Sequence, residues 1–351
     1  MIMKDKLTVG IIGCGEITNV LTARALSEAK NVKIGMAMDA VEWAAEDIGK
    51  RYGVPHTSDV KALLSNPDID FVYIAVPHYL HAPLTIEAAR AGKHVIVEKP
   101  ISVDLKKADE MITECKKNGV KLSTCFPSRY LPHVEKAKEL VEGGRIGKVI
   151  GIKITGMGIK PDSYWMGGYS GRIKSDWRKF KEKTGGGILI MNEVHDIDYM
   201  RYITGLEAKR VYSECDTFLT PVEVEDFINV VIRYANGAIG MIEASSCVEE
   251  SPRSMAIRGN RIYGSKGEII VSNPLWVRTS EDTELGKANE WHEIKLEEKG
   301  RHINRFIEGF AEAVLSNRTP PVTGEDGRKA LEIIVAAYQS ALKSTPIILP
   351  L

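Results

Sequence analysis

Two side chains stand where proton chemistry would need them, Lys99 and His195. Lys99 ends the apolar run HVIVEK and is followed by Pro100, which restricts its backbone and leaves a cis bond open to it. Desolvation in a crevice, with a cation nearby, would lower the lysine pKa and suit it to proton transfer. His195 lies in GGGILIMNEVHDIDYMRYITG, where Asn192, His195 and Asp198 recur at i, i+3 and i+6, roughly one helical face. A helix histidine working with a lysine from another lobe would make a proton relay beside a hydride acceptor. Each residue also has a plainer reading. Lys99 would then be an exposed strand-end lysine and His195 a structural histidine, while Asp198 would orient His195 or pair with Arg201.

A hydride acceptor has its own pattern near the start. GIIGCGEIT follows an apolar run and opens a helical stretch, so Gly13 and Gly15 supply the first two glycines of G-x-G-x-x-G. Gly13 permits the tight turn, and Gly15 lets the backbone approach a pyrophosphate. The turn Gly13, Cys14, Gly15, Glu16 and Ile17 then places that charge at a positive helix end. The third position is Thr18, which is expected to loosen packing between helix and strand. Asp39 follows the second apolar run, 24 residues past Gly15. A carboxylate at that offset accepts both ribose hydroxyls of NAD and repels the 2′-phosphate of NADP. Ala40, Val41 and Glu42 offer no arginine to hold such a phosphate, so NAD is favoured over NADP. Alternatively, Asp39 caps the helix starting at Val41.

The segment IAVPHYLHAP ends the third apolar run, with Val76 and Pro77 at its stop and His78 and His81 flanking the crevice beyond. The plain alternative is two surface histidines at a helix start. No further ligand is near enough in sequence to make them a metal site.

These residues need elements to hold them. Runs at Leu7 to Ile12, Val32 to Met38, Phe71 to Val76, His94 to Glu98 and Val120 to Cys125 are β-branched and continuous, as expected of strands covered on both faces. Helices are expected between them over 17–29, 41–52, 58–64, 83–91 and 105–118, giving a parallel sheet with right-handed crossovers. Beyond Leu131 the rhythm changes. After a helix over 133–142, strand-like runs follow with turn signals, among them VIGIKITGM, RVYSECDTF, INVVIRYA, IGMIEASSC, SMAIRGNRIYG and EIIVS. Helices are expected over 188–203, 303–316 and 327–342, and the Gly-, Lys- and aromatic-rich stretch 159–183 reads as a loop crossing the cleft. The fold class expected is α/β: an N-terminal Rossmann doubly wound parallel sheet over 1–126, and a C-terminal α+β domain over 127–351. That second domain carries a large open, mostly antiparallel sheet, with its last helix free to pack back on the first domain.

Lysine plus arginine balances aspartate plus glutamate at 47 each, which removes any bulk electrostatic reason to bind nucleic acid or an anionic membrane. Five scattered cysteines show no metal-ligand spacing and read as free thiols in a reducing cytoplasm. Neither a signal h-region nor a membrane span is evident, so a cytoplasmic location is expected.

Taken together, these segments resemble the Gfo/Idh/MocA family of glucose-fructose oxidoreductase, inositol dehydrogenase and related enzymes. The likeness runs through GIIGCGEIT, Asp39, VPHYLH, the EKP triplet, Arg129-Tyr130, RIGKV, Trp177-Arg178, GGG with its HDID helix, and PVTGEDGRKALEII. It implies that Lys99 binds substrate and nicotinamide ribose and that His195 is the acid/base at the reacting hydroxyl. Pro77, His78, His81, Glu98, Trp177 and Arg178 fall where relatives contact cofactor, and Arg129, Tyr130, Asn192 and Asp198 would line the sugar side. It also implies homodimers or homotetramers built through the C-terminal sheet. Three positions depart from the family pattern: Met191 stands where many relatives have Asp, Glu193 where glycine is common, and His78 where many have Asn. The reading is an NAD-dependent dehydrogenase of a cyclic polyol, sugar or glycoside. Its rivals are an NAD-binding sugar sensor with little turnover, which Met191 favours, and an enzyme that retains and recycles its NAD.

Overall fold

The computed structural model describes residues 5–248, 259–297 and 299–351. The chain forms two compact units. The first combines Met1–Pro127 with Pro161–Gly185 and Gly300–Leu331, and the second holds Ser128–Lys160, Gly186–Lys299 and Glu332–Leu351. Two later segments thus join the first unit, in place of the single division expected at residue 126. They belong there because the 161–185 segment hydrogen-bonds to the glycine turn, and because Phe310 sets its ring 5.5 Å from that of Phe71.

In the first unit six strands form one parallel sheet: β1 (Leu7–Ile12), β2 (Val32–Met38), β3 (His56–Thr57), β4 (Phe71–Ile74), β5 (His94–Val97) and β6 (Leu122–Thr124). Their order is β3-β2-β1-β4-β5-β6, the doubly wound arrangement with its switch point beside β1. β1 and β4 are buried at every residue, which explains why they read as unbroken apolar runs. The helices between strands are α1 (Ala23–Glu28), α2 (Glu42–Tyr52), α3 (Val60–Leu64), α4 (His81–Arg90) and α5 (Leu105–Lys117). Asp59 and Asp104 cap α3 and α5 by accepting from Lys61 N at 2.9 Å and Lys107 N at 2.8 Å. α4 starts two residues before the expected Pro83, because a proline within the first turn gives up no helical hydrogen bond. The 159–183 stretch is not one plain loop: it contains short helical turns at Asp162–Trp165, Trp177–Lys179 and Lys181–Thr184.

In the second unit nine strands form one sheet: β7 (Val149–Met157), β8 (Ala208–Asp216), β9 (Phe227–Tyr234), β10 (Ile239–Ser245), β11 (Asn260–Gly264), β12 (Gly267–Val271), β13 (Leu275–Thr279), β14 (His292–Ile294) and β15 (Ile347–Ile348). The order is β14-β13-β12-β11-β7-β10-β9-β8-β15, antiparallel throughout except for the β7–β10 pair. The expected strand SMAIRGNRIYG survives as β11, and its first part lies outside the described residues. Burial alternates along β9, so one face of the sheet is covered and the other open. Helices Pro132–Glu142 and Val194–Thr204 pack on each other and on the covered face. On the open face Val231 and Met241 sit directly across from each other, with Ile239 beside them, each at least 40% exposed.

The helix bearing His195 is anchored at its start by a buried carboxylate. Glu225 accepts from Gly187 N at 2.6 Å, from Leu189 N at 3.0 Å and from the Tyr338 hydroxyl at 2.8 Å. Burial pushes the Glu225 pKa up, and these three donors hold it back. Glu225→Ala would strand all three donors in the interior. It should cost about 3 kcal/mol, read as a lower urea midpoint, with Glu225→Gln costing less. An alanine variant as stable as the parent chain would show that the anchor is dispensable.

Candidate active site

At the end of β1 the chain reverses through Gly13, whose φ of +99° favours glycine. A Cβ there would meet the Ala75 carbonyl at 2.3 Å, so the turn closes only with a bare backbone. Gly15 has nothing within 4 Å of a would-be Cβ, which leaves an open cradle above the turn. Asp39, at the end of β2, faces this turn. Its Oδ2 accepts from Cys14 N at 2.7 Å and its Oδ1 from Val41 N at 2.8 Å. One carboxylate therefore joins the glycine turn to the first residue before α2. The helix itself has Val41 as its N-cap and no side-chain cap, so Asp39 braces the approach to α2 without capping it.

Thr18 does not loosen this turn, contrary to expectation. It is fully buried and its hydroxyl donates to Gly13 O at 2.6 Å. The helix opens with a wide π turn at Thr18–Thr22, which makes room for the branched side chain against the strand. Cys14 is also covered, and its thiol is pushed up to about 12, first by burial and then by the Asp39 carboxylate. Ile17 keeps 38% of its surface, and Glu16 accepts from Ser170 N at 2.7 Å.

Beyond β4, Val76 and Pro77 remain partly exposed at the crevice. The two histidines that follow are buried rather than superficial. His78 Nδ1 lies 2.9 Å from Thr184 O, and its ring edge meets Trp177 at 4.6 Å. Burial holds its pKa well below the ordinary imidazole value. His81 is wholly enclosed, with Nδ1 2.7 Å from Pro100 O and Nε2 3.0 Å from Val76 O. Burial lowers its pKa to about 4, so the ring is neutral and donates to one of these carbonyls at a time. With no surface to offer, His81 braces the ends of β4 and the Lys99–Pro100 step instead of touching a ligand. That corrects its expected place among the cofactor contacts.

Lys99 is half-buried at the end of β5, before a cis Lys99–Pro100 bond. Glu98 is fixed from behind, where its Oε1 accepts from the Tyr73 hydroxyl at 2.7 Å and its Oε2 from Lys99 N at 3.3 Å. The Tyr73 hydroxyl also meets Cys125 Sγ at 3.0 Å. The Arg178 guanidinium lies 4.7 Å from the Trp177 ring centroid and 4.9 Å from that of Tyr164. Sequence spacing missed a further basic residue. Arg172 donates through Nε to Cys14 O at 3.1 Å and through Nη2 to Asp47 at 2.5 Å, with its guanidinium 5.1 Å from the Trp43 ring centroid. A lone arginine in an aperiodic glycine-rich stretch carries no pattern that points to these partners.

In the second unit, a π turn at Leu189–Glu193 runs into the helix Val194–Thr204. Such turns recur at functional sites. Met191 is buried, whereas Asn192 is half-buried with its Oδ1 enclosed and without a hydrogen-bond partner. His195 is half-exposed and Tyr130 half-buried. The expected substrate residues Arg129 and Asp198 are turned on each other. Arg129 Nε donates to Asp198 Oδ2 at 2.8 Å and Nη2 to Oδ1 at 2.6 Å, with Asp198 wholly buried and Arg129 7% exposed. This bidentate pair ties the Pro127–Tyr130 turn to the His195 helix. It corrects the expectation that both residues line a sugar pocket. Arg201, the other candidate partner for Asp198, pairs with Glu207 at 2.9 Å. Among the described residues no group of three or more His, Cys, Asp or Glu side chains is arranged to hold a metal ion.

The same residues carry a match to known proteins. Residues 7–126 match the model of an oxidoreductase family with an NAD-binding Rossmann fold, and residues 134–270 match the GFO/IDH/MocA C-terminal domain. This chain belongs to the GFO/IDH/MocA family. Myo-inositol 2-dehydrogenase of Thermotoga maritima is 31% identical over 95% of this chain and 96% of its own. Scyllo-inositol 2-dehydrogenase (NAD(+)) of Bacillus subtilis is 27% identical over 98% and 97%. Among solved structures, levoglucosan dehydrogenase in complex with NADH and levoglucosan superposes with a TM-score of 0.85 at 26% identity, covering 99% of this chain and all of that one. As a GFO/IDH/MocA oxidoreductase, the chain carries its NAD-binding domain in the first unit. The bare glycine turn, the open space over Gly15 and the Asp39 carboxylate at its lip fit that cofactor.

Asp196, next to His195, completes the local electrostatics. Its residue keeps some surface, but its carboxylate turns inward, accepting from the buried Asn260 Nδ2 at 2.7 Å. Asn260 Nδ2 also donates to the Tyr199 hydroxyl. Burial raises the Asp196 pKa to about 6, against the opposing hydrogen bonds from Asn260 and Tyr199. The unfolded chain releases this proton near pH 4 (about 3.9), and the folded chain keeps it until about pH 6. The stability contributed by Asp196 is therefore present below about pH 4 and lost as pH rises through about 6, on the order of 2–3 kcal/mol. Asp196→Asn should flatten the fall in unfolding free energy across that window. Denaturant unfolding at a series of pH values reads the slope, and an unchanged slope would refute the assignment.

Proposed function

We propose that this chain is an NAD-dependent dehydrogenase that oxidises a ring hydroxyl of a cyclic polyol, sugar or glycoside, or reduces the matching ketone. One observation carries the cofactor half: the Asp39 carboxylate at the lip of a glycine turn that only a bare backbone can close. Relatives named for myo-inositol, scyllo-inositol and levoglucosan support the substrate class. NAD, when bound, supplies the hydride acceptor. In this reading His195 takes the proton from the reacting hydroxyl, and Lys99 stabilises the developing alkoxide with its positive charge. Gly13, Cys14, Gly15, Glu16, Ile17, Asp39, Val76, Pro77, His78, Glu98, Trp177 and Arg178 hold the dinucleotide. Met191 is apolar and buried, so it holds no substrate hydroxyl. Asn192 takes that place, and its enclosed Oδ1 is an acceptor awaiting a donor. Tyr130 lines the same side.

Charge argues against nucleic acid or an anionic surface as partner, and among the described residues no helix is long and apolar enough to cross a membrane. Five cysteines that form no disulfide are consistent with work in a reducing cytoplasm. The open apolar face around Val231, Ile239 and Met241 is where we place a homodimer or homotetramer contact.

The deciding experiment is a panel of polyols, sugars and glycosides assayed with NAD and NADP. NADH formation with one class of ring polyol is expected. Silence across the panel, with NADH binding intact, would favour a sugar sensor. With the best substrate, Lys99→Met should lower kcat by roughly 10²–10⁴ while NADH affinity changes little. A variant that keeps full turnover would remove Lys99 from the chemistry. Met241→Asp should shift light-scattering mass toward the monomer, and an unchanged mass would move the contact elsewhere.

A further inference from the structure

The segment 161–185 runs over the first unit from the glycine turn to the end of β4, the line along which a dinucleotide lies in this fold. At the far end, Thr184 O meets His78 Nδ1 at 2.9 Å and Trp177 rests against the same ring. At the near end the contact is with the glycine turn itself. Ser170 N donates to Glu16 Oε1 at 2.7 Å, and Gly168 comes so close that a Cβ there would lie 1.7 Å from Glu16 Oε2. Arg172 then fastens this end three ways, to Cys14 O, to Asp47 on α2 and to the face of Trp43. Its side chain is only 12% exposed, whereas the Asp47 carboxylate is 40% exposed. The Arg172 hydrogen bond holds the Asp47 pKa below the usual carboxylate range.

We propose that residues 166–172 form a latch over bound dinucleotide, with Arg172 as its catch, so that release of Arg172 from Asp47 and Cys14 O gates cofactor exchange. This rests on the dinucleotide reading of the glycine turn. The catch lies on the glycine turn, where its guanidinium is bonded to Cys14 O, and a dinucleotide held at that turn would bring its phosphate charges close to this cation. A cofactor held beneath the segment leaves only after these contacts open together. Their loss therefore appears mainly in the dissociation rate. Arg172 is a binding residue in this view and takes no part in proton transfer.

The test is stopped-flow displacement of NADH from the full chain, followed by NADH fluorescence, for wild type, Arg172→Ala and Asp47→Ala. Asp47 is half-exposed on a helix, so its alanine variant leaves the core alone. Both variants should release NADH about tenfold faster or more, with a matching loss of affinity. Limited proteolysis within 166–172 should be suppressed by NADH in wild type and much less in Arg172→Ala. Equal release rates in all three proteins, with NADH bound, would overturn the latch and leave the dehydrogenase reading standing. Failure of wild type to bind NADH would overturn both.

Discussion

The first unit depends on one close approach, that of the Gly13 backbone to the Ala75 carbonyl. It brings the end of β1 against the end of β4, and no side chain fits between. Both peptide groups of that glycine are then used: its N–H donates to Met38 O at 2.8 Å, and its carbonyl accepts from Thr18. Three strand ends and the start of the following helix are thereby fixed to one residue. Beyond it the turn stays open, since nothing lies within 4 Å of a would-be Cβ on Gly15. A site made of backbone has no rotamers to order when a ligand arrives, which is the physical advantage of building it from glycine.

A different logic holds the second unit's central helix. There the helix that carries His195 is fixed in an interior that resists charge, and the solution is to bury charges in pairs or beneath several donors. Arg129 and Asp198 neutralise each other with parallel hydrogen bonds, and Glu225 is surrounded by two amides and a hydroxyl. Such groups add little net stability over apolar packing, but a missing partner is severely costly. They select one orientation of the helix over its neighbours, a form of specificity that a purely greasy contact does not supply.

Much of this was legible in the sequence. β1, β2 and β7 have the bounds expected, because continuous or long β-branched runs leave little choice of register. The glycine turn, Asp39 and the half-exposed Lys99 and His195 lie on the elements foreseen for them. The short edge strands His56–Thr57 and Ile347–Ile348 were not visible, since two residues carry no periodicity. β13 and β14 were missed for the same reason of weak pattern. The larger failures concern partners. A sequence shows that Arg129 and Asp198 are polar, but not that they spend their polarity on each other. It shows two histidines in PHYLHAP, but not that one is sealed inside with both nitrogens engaged. Thr18 looked like a flaw in the glycine motif because the spacing rule considers volume alone, whereas the fold uses its hydroxyl.

Cys14 illustrates a last point about the cradle. It sits in the middle of the glycine turn, a place where an electrophilic inhibitor directed at the cofactor site would seek a thiolate. The sulfur is enclosed and leans on the Met38 carbonyl at 3.5 Å, and both burial and Asp39 keep its proton on. Nucleophilic attack needs the anion. Alkylating agents and peroxides should therefore pass this site by, and the cysteine serves the turn as a small, protonated side chain that donates to a strand-end carbonyl.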